Sequence, residues 1–471
     1  MLPNSDTFAI RPAVVPADKK SEMTILPLER IFLLREGEDY DLVLIDRDAD
    51  EINYYVPTTH KRMTVKASGG VIKFDWVFEG EQSHTIQLLK NGVKLAELRV
   101  YSLYEDLYGL IPMRGDLHSH TYRSDGKRDP AAMASFMREM GFDFFVSTDH
   151  NRYYPGAETD EIFKDVKLGL VHIRGEEVHA PGGMLHIVHA GGKSSVADIY
   201  VHDRERYNRE LAECMEKVPE SIPEKYRDRY AMAMWVTARI HDAEGLAIFP
   251  HPFWASGRSG IHNVCTELAE IFLSSGLFDA YELIGAMGQP GNNCSVAMWA
   301  DMRAAGYDIP VVGSSDVHNP CGAATFPFNC TVCFAKERSA AGVLEAVKSG
   351  YSVACETTGV EYERRFRAYG KLRFVKYAQF LLADYFPHTE RICAGEGVAM
   401  RAYAMGEASA ELIELQARRT ADFSDKFFGK KPPVLPTKEM LEFEDRAREI
   451  QRNGPITCGS VIDSDKVTRN D

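Results

Sequence analysis

Two carboxylates and two imidazoles crowd into one short stretch, Asp116-Leu117-His118-Ser119-His120-Thr121 followed by Ser124-Asp125-Gly126. About two dozen residues later, Ser147-Thr148-Asp149-His150-Asn151 closes an apolar run. In an extended strand, residues i and i+2 project from the same face, so His118 and His120 can aim two rings at one point. Neutral imidazoles beside carboxylates make a donor set suited to a divalent metal ion. An isolated His-x-His arises often from chance or packing, so the weight of this one depends on further donors along the chain.

Those donors must be held by regular elements, and from about Ile111 strands alternate with helices. Asp129 and Pro130 supply an N-cap and a first helical residue, Ala131 to Met140 continue the helix, and Gly141 ends it. Phe142 to Ser147 then reads as a buried strand whose C-terminal end delivers Asp149 and His150. Leu170 to Arg174 leads in the same way to Glu176 and Glu177, and Leu185 to Val188 carries His186. Gly245 to Phe249 leads to His251, Phe278 to Ile284 carries Glu282, and Ile309 to Gly313 leads to Asp316 and His318. Repeated delivery of polar residues at strand C-termini is how a βα-barrel assembles its active site.

The flanks differ in texture. Residues 1–107 are β-rich, with Asn91-Gly92 marking a tight hairpin turn, and read as a β-sandwich-like domain for packing or oligomerisation. Residues 108–360 form the barrel, interrupted at about 194–243 by a charged helical insertion, either a lid or a solvated excursion. Residues 361–471 read as a helical extension, with a last helix from about Thr437 to Arg452. At 471 residues and 45% hydrophobic, the chain can bury a large core over two or three domains. Its net charge of −14 does not favour nucleic acid or an anionic membrane surface. No signal-peptide pattern opens it and no apolar run is long enough to span a bilayer. Nine scattered cysteines fit a reducing, cytoplasmic setting, with Cys330 and Cys333 as ordinary buried thiols.

Six motifs in order resemble the PHP (polymerase and histidinol phosphatase) superfamily of metal-dependent hydrolases. They are Asp116-Leu-His-Ser-His-Thr with Ser124-Asp-Gly, Thr148-Asp-His-Asn, Gly175-x-Glu177, Leu185-His-Ile-Val, Pro250-His-Pro and Ser315-Asp-x-His318, spread over Met113 to Glu356. The resemblance implies a distorted (β/α)7 barrel holding two or three divalent ions, with Zn, Mn or Fe suited to the donors. By that likeness one ion takes His118, His120, Glu177 and Asp316. A second takes His186 and His251 and shares Glu177, and a third takes Asp125, His150 and His318. Asp116 and Asp149 are expected to orient ligand imidazoles from behind.

Other residues are weighed on pattern. Glu176 and Glu177 face opposite sides of a strand, so one of them enters the site, and the family spacing selects Glu177. His179, His186 and His189 compete for one position, which the Leu-His-Ile-Val match gives to His186. His60, His84, His172, His202, His241, His262 and His388 lack such context and read as surface or core histidines. Arg258, Arg123, Lys127 and Arg152 are candidate anion contacts, Arg258 foremost, and Phe253 and Trp254 either wall the pocket or belong to the core.

The expected activity is a phosphoesterase that uses metal-activated hydroxide on a phosphorylated small molecule, with Glu177, Asp316 and Arg258 as its catalytic residues. An amide, carbamate or ester hydrolase and a non-catalytic metal-binding scaffold are the alternatives. No nucleic-acid or membrane partner is expected, and a homo-oligomer is admitted.

Overall fold

The computed structural model describes residues 7–53, 55–182, 185–255, 257, 259–320, 329–359 and 365–453. The chain divides into two compact units, Met1–Tyr104 with Lys426–Asp471, and Glu105–Asp425.

The first unit contains β1 (Phe8–Arg11), β2 (Val14–Pro16), β3 (Lys20–Pro27), β4 (Asp39–Asp46), β5 (Lys61–Ser68), β6 (Val71–Val77), β7 (Ser83–Lys90) and β8 (Val93–Leu103). They join in the order β1-β3-β6-β5-β4-β7-β8-β2. Met23, Ile25 and Ile72 from one half of this sheet and Leu42, Ile86 and Leu98 from the other share one core, so the sheet folds across itself. Asn91 and Gly92 take φ of 50° and 79° between β7 and β8, the left-handed pair that a two-residue hairpin turn requires. A helix at Lys438–Asn453 also belongs to this unit, anchored by the Arg448 guanidinium, which donates to the carbonyls of Ile31 and Leu33.

In the second unit, α1 (Glu105–Tyr108) leads into β9 (Ile111–Asp116), α2 (Pro130–Glu139), β10 (Phe144–Ser147), α3 (Tyr154–Ile162), β11 (Val171–Val178) and β12 (Ile187–Gly191). Helices α4 (Ala197–His202), α5 (Arg204–Glu216) and α6 (Arg227–Asp242) precede β13 (Gly245–Phe249), α7 (Thr266–Ser275), β14 (Ala280–Ile284), α8 (Gly288–Ala304) and β15 (Val311–Gly313). The order ends with β16 (Cys330–Ala335), α9 (Ala340–Lys348), β17 (Ser352–Thr358), β18 (Arg365–Tyr369), α10 (Leu372–Asp384), α11 (Phe386–Ala404) and α12 (Ala410–Phe427).

The sheet runs β15-β14-β13-β12-β11-β10-β9-β16-β17-β18. Its seam is drawn together by hydroxyls: Thr331 Oγ1 donates to the Gly313 carbonyl at 2.8 Å and Ser352 Oγ to that of Val311 at 2.8 Å. The result is a mixed α/β, nearly closed barrel. Met113, Val146, Ile173, Val188, Ile248 and Val312 fill its interior.

Three strands of this sheet break the parallel pattern expected of a regular βα-barrel, the edge strand β18 among them. β12 is antiparallel to both β11 and β13, and β16 is antiparallel to β9. Reversal puts the start of β12 at the rim where its neighbours end. His186 therefore precedes its strand instead of lying within it, yet reaches the same rim. The stretch after Gly359, read from sequence as turning helical, has β18 as its first described element. Its pairing with β17 overrides local preference. Within 194–243, α6 buries Met232, Trp235, Val236 and Ile240 in the apolar layer outside the sheet, so it is a packed barrel helix and not a solvated excursion.

Helix α2 starts as its sequence dictates: Asp129 accepts from the Ala132 amide at 2.9 Å, and Gly141 ends the turn at φ 80°. Its buried Arg138 donates to Glu396 of α11 at 2.8 Å, and both side chains are fully buried. The helices touch closely, because a Cβ on Gly397 would fall 2.4 Å from the Glu139 amide nitrogen. Removing one partner of a buried ion pair leaves the other charged and unsolvated, at a cost of about 3–5 kcal/mol. Glu396→Ala is therefore expected to lower the unfolding free energy, read by denaturant titration, by that order. A variant within about 1 kcal/mol of the parent would show that Arg138 is compensated elsewhere.

Candidate metal centre

The polar residues predicted at strand ends do meet, at one rim of the barrel. His118 and His120 lie just beyond β9, kept extended by a parallel bridge between Ser119 and Val317. That keeps both rings on one face, and their Nε2 atoms lie 3.4 and 2.9 Å from Asp316 Oδ1. His150 follows β10, Glu177 lies in β11, His186 precedes β12, His251 follows β13, and Asp316 and His318 follow β15. Three residues here take positive φ without being glycine: Asn151 at 54°, His251 at 26° and Asp316 at 49°. Such backbone is strained for a side chain with a Cβ and gathers at functional sites, where the surroundings enforce it.

Glu177 stands at the middle. Its Oε1 is 2.8 Å from His186 Nδ1 and 3.1 Å from His251 Nε2. Its Oε2 is 2.8 Å from His150 Nδ1, 3.4 Å from His118 Nε2 and 3.5 Å from His120 Nε2. The two oxygens thus face different sets of imidazoles, the geometry of a carboxylate able to join two cations. Several of these donors are buried with no hydrogen-bond partner, namely His118 Nε2, His120 Nε2, His150 Nδ1, His186 Nδ1 and Asp316 Oδ1. Unpartnered buried polar atoms are costly, and here they converge on shared space. Divalent ions fit that donor set. A third grouping joins Asp125, whose carboxylate oxygens lie 3.5 Å from His150 Nε2 and 3.3 Å from His318 Nε2, with His120 alongside. All nine ligands expected from the sequence are within this one cluster.

The supporting contacts differ from expectation. Asp116 accepts from the amides of His118 and Ser315, at 3.1 and 3.0 Å, and Asp149 accepts from the amides of Thr121 and Ser124. Both carboxylates therefore hold loop backbone, not imidazole rings, because short aspartates beside a turn meet its N–H groups first. The ring of His118 is oriented instead by Glu282 of β14, whose Oε2 lies 3.0 Å from its Nδ1 and which is fully buried. In the sequence Glu282 was a single acidic residue in an apolar run, and that burial was its signal. Glu176 points away, as strand alternation requires, and takes the Val196 amide and His189 Nδ1. Its partner His189 is thereby excluded from the centre, whereas His179 enters it beside His186.

The anion contacts are less uniform. Arg123 is held by Glu158 through two hydrogen bonds of 2.8 and 2.9 Å. Lys127 and Arg152 are exposed, and Arg258 lies outside the described residues. Phe253 is buried in the outer core, while Trp254 is 38% exposed with its ring centroid 6.3 Å from those of His186 and His251. Among the described residues, Trp254 therefore walls the site and Phe253 does not.

Burial opposes charge on the imidazoles of His118, His120, His150, His186 and His251, but the carboxylates answer it unevenly. Asp316, Glu177 and Glu282 hold His118 well above its ordinary value against burial, and Glu177 raises His150 and His251 likewise. Burial lowers His186 to about 4 despite Glu177. Glu177 itself is held well below the carboxylate range, its burial outweighed by His118 and His186. Metal ligation needs neutral imidazole, so ions compete with protons on the raised histidines. Metal affinity should fall as pH is lowered through neutrality, and ion uptake near neutral pH should release protons. Calorimetry in buffers of different ionisation enthalpy measures that release, and a value of zero would contradict it. Glu282→Gln should weaken metal binding by about 10- to 100-fold by freeing the His118 ring; an unchanged chelator-competition curve would assign that orientation elsewhere.

No protein-family model and no curated protein matches the sequence. Solved structures that align with part of the chain include a two-domain Bacteroides vulgatus protein containing a predicted PHP-like metal-dependent phosphoesterase, at 19% identity and TM-score 0.36 over 53% of this chain and 66% of that one. The match thus spans just under two thirds of that protein. A Bifidobacterium adolescentis protein described as a metal-dependent phosphoesterase aligns at 17% identity and TM-score 0.31, over 43% of this chain and 87% of that one. A Chromobacterium violaceum amidohydrolase, solved with sulfate and no metal, aligns at 17% identity and TM-score 0.30, over 44% of this chain and 88% of that one. The chain resembles the PHP superfamily, and the likeness is carried by its own six ordered motifs.

Proposed function

We propose that this chain is a metal-dependent hydrolase acting on phosphoesters. The observation that carries the reading is the Glu177 carboxylate, fully buried, with each oxygen turned to its own set of imidazoles. His118, His120, Glu177 and Asp316 would hold one ion, His186 and His251 with Glu177 a second, and Asp125, His150 and His318 a third. Such ions supply an activated water nucleophile and neutralise charge developing on the ester oxygens. The chain's own part is positioning. Glu282 fixes the His118 tautomer so that its Nε2 faces Asp316 and Glu177. Asp116 ties the His118 and Ser315 backbones together, which sets Asp316 against the first pair of histidines. His318 Nδ1 donates to the Asp316 carbonyl at 2.9 Å, leaving its Nε2 for the third set.

An ester or amide substrate is the second reading. It is favoured by the engagement of Arg123 with Glu158, which occupies one candidate phosphate contact, and by the exposed Trp254 at the wall.

A panel of phosphomonoesters, phosphodiesters, cyclic phosphates and carboxyl esters, tested after Zn, Mn or Fe loading, separates these readings; turnover of none would favour a metal-binding scaffold. Glu177→Gln preserves volume but removes the negative charge between the imidazole sets. It should bind fewer ions and lose roughly a hundredfold or more in rate, since several kcal/mol of barrier lowering depends on the pair. Near-parental turnover with metals bound would place the hydrolytic centre elsewhere.

A further inference from the structure

Strand β11 and the residue after it carry Glu177 and His179 two positions apart, the spacing of His118 and His120, so both side chains project from one face. The antiparallel register pairs Glu177 with Val188 and Val178 with Ile187. One step further along that ladder sets His179 opposite His186. Their rings stack at 3.7 Å between centroids and 21° between planes, and the His179 ring is 4.4 Å from that of His150. His179 Nε2 lies 3.5 Å from Glu177 Oε2, is buried, and has no hydrogen-bond partner. Its backbone is fixed as well: the His179 amide donates to Asn151 Oδ1 at 2.6 Å, and the Tyr200 hydroxyl donates to the same oxygen at 2.5 Å. His189 differs in position: its Nδ1 meets Glu176 on the opposite face of β11, away from the other imidazoles.

We propose that His179 is a tenth metal ligand, acting with His150 and Glu177. The three ligand atoms lie within 4.8 Å of one another, and two imidazoles with one carboxylate suit Zn, Mn or Fe while leaving a coordination position open. The motif pattern of the resembled family does not supply this donor set. It gives His150 a choice between Asp125, whose side chain is 55% exposed, and the buried Glu177. An ion held by His179 keeps a buried carboxylate where the Asp125 set offers a solvated one. The proposal rests on the metal-centre reading and is independent of which ester is cleaved.

The test uses the full chain, stripped of metal and reloaded with cobalt(II) or zinc at buffered free concentration. Ions per chain are counted by elemental analysis, affinity is measured by chelator competition, and coordination is read from the visible cobalt bands. His179→Ala should lose one ion per chain, or hold one at least about tenfold more weakly, with an altered cobalt spectrum. His179→Asp, which can still ligate, should recover the ion. Should His179→Ala not fold, His179→Gln keeps the bulk without the imidazole and decides by the same readouts. Parental ion count, competition curve and cobalt bands in the non-ligating variant would overturn the proposal while leaving the metal centre intact. A parent protein that takes up no ion would overturn both.

Discussion

A carboxylate with about 1% of its side chain exposed to solvent, surrounded by imidazoles, is the constraint on which this barrel rim depends. Burying an ionised group alone is prohibitively costly, and it persists only with opposite charge or directed donors around it. Glu177 meets that demand from both oxygens, with His186 and His251 on one side and His150 and His118 on the other. Each of those rings comes from a different segment, so the carboxylate can be satisfied only when β9, β10, β11, β13 and the start of β12 are all in place. The left-handed backbone at His251 and Asp316 belongs to the same account. A local cost of that kind survives where tertiary contacts fix the side chain's direction.

What could be read in the sequence was what is decided locally or repeated. The cap at Asp129, the stop at Gly141 and the turn at Asn91-Gly92 depend on a few neighbouring residues, and they form as their chemistry dictates. The nine residues expected as ligands stood out because imidazoles and carboxylates recurred after successive apolar runs and because their motifs matched those of the resembled family. Strand direction was not visible. A short apolar run looks the same whether it pairs parallel or antiparallel, so the reversal of β12 and β16 could not be seen.

The roles missed share that cause. Glu282 is a lone acid in an apolar strand, and its value lies in meeting His118 across a sequence separation of 164 residues. Asp116 and Asp149 were given to imidazoles because they flank them in sequence, whereas their oxygens are taken by nearer amides. The Glu177-x-His179 spacing was in view, but its meaning required the register with β12. Strand β18 depended on β17 in the same manner.

The buried pair between α2 and α11 bears on how such a chain can be divided. Arg138 is fully buried, donating also to the Phe142 carbonyl, and Glu396 accepts in addition from the Gly169 amide. The helices that follow the last barrel strand thus reach into the layer that flanks β10. A shortened gene ending after β18 would encode every proposed ligand and still remove Glu396, leaving the buried Arg138 guanidinium with Asp143, at 3.6 Å, in place of its closer partner. Barrel and following helices thus share a buried charge, and a cut between them would expose the Glu396 side of that contact to water.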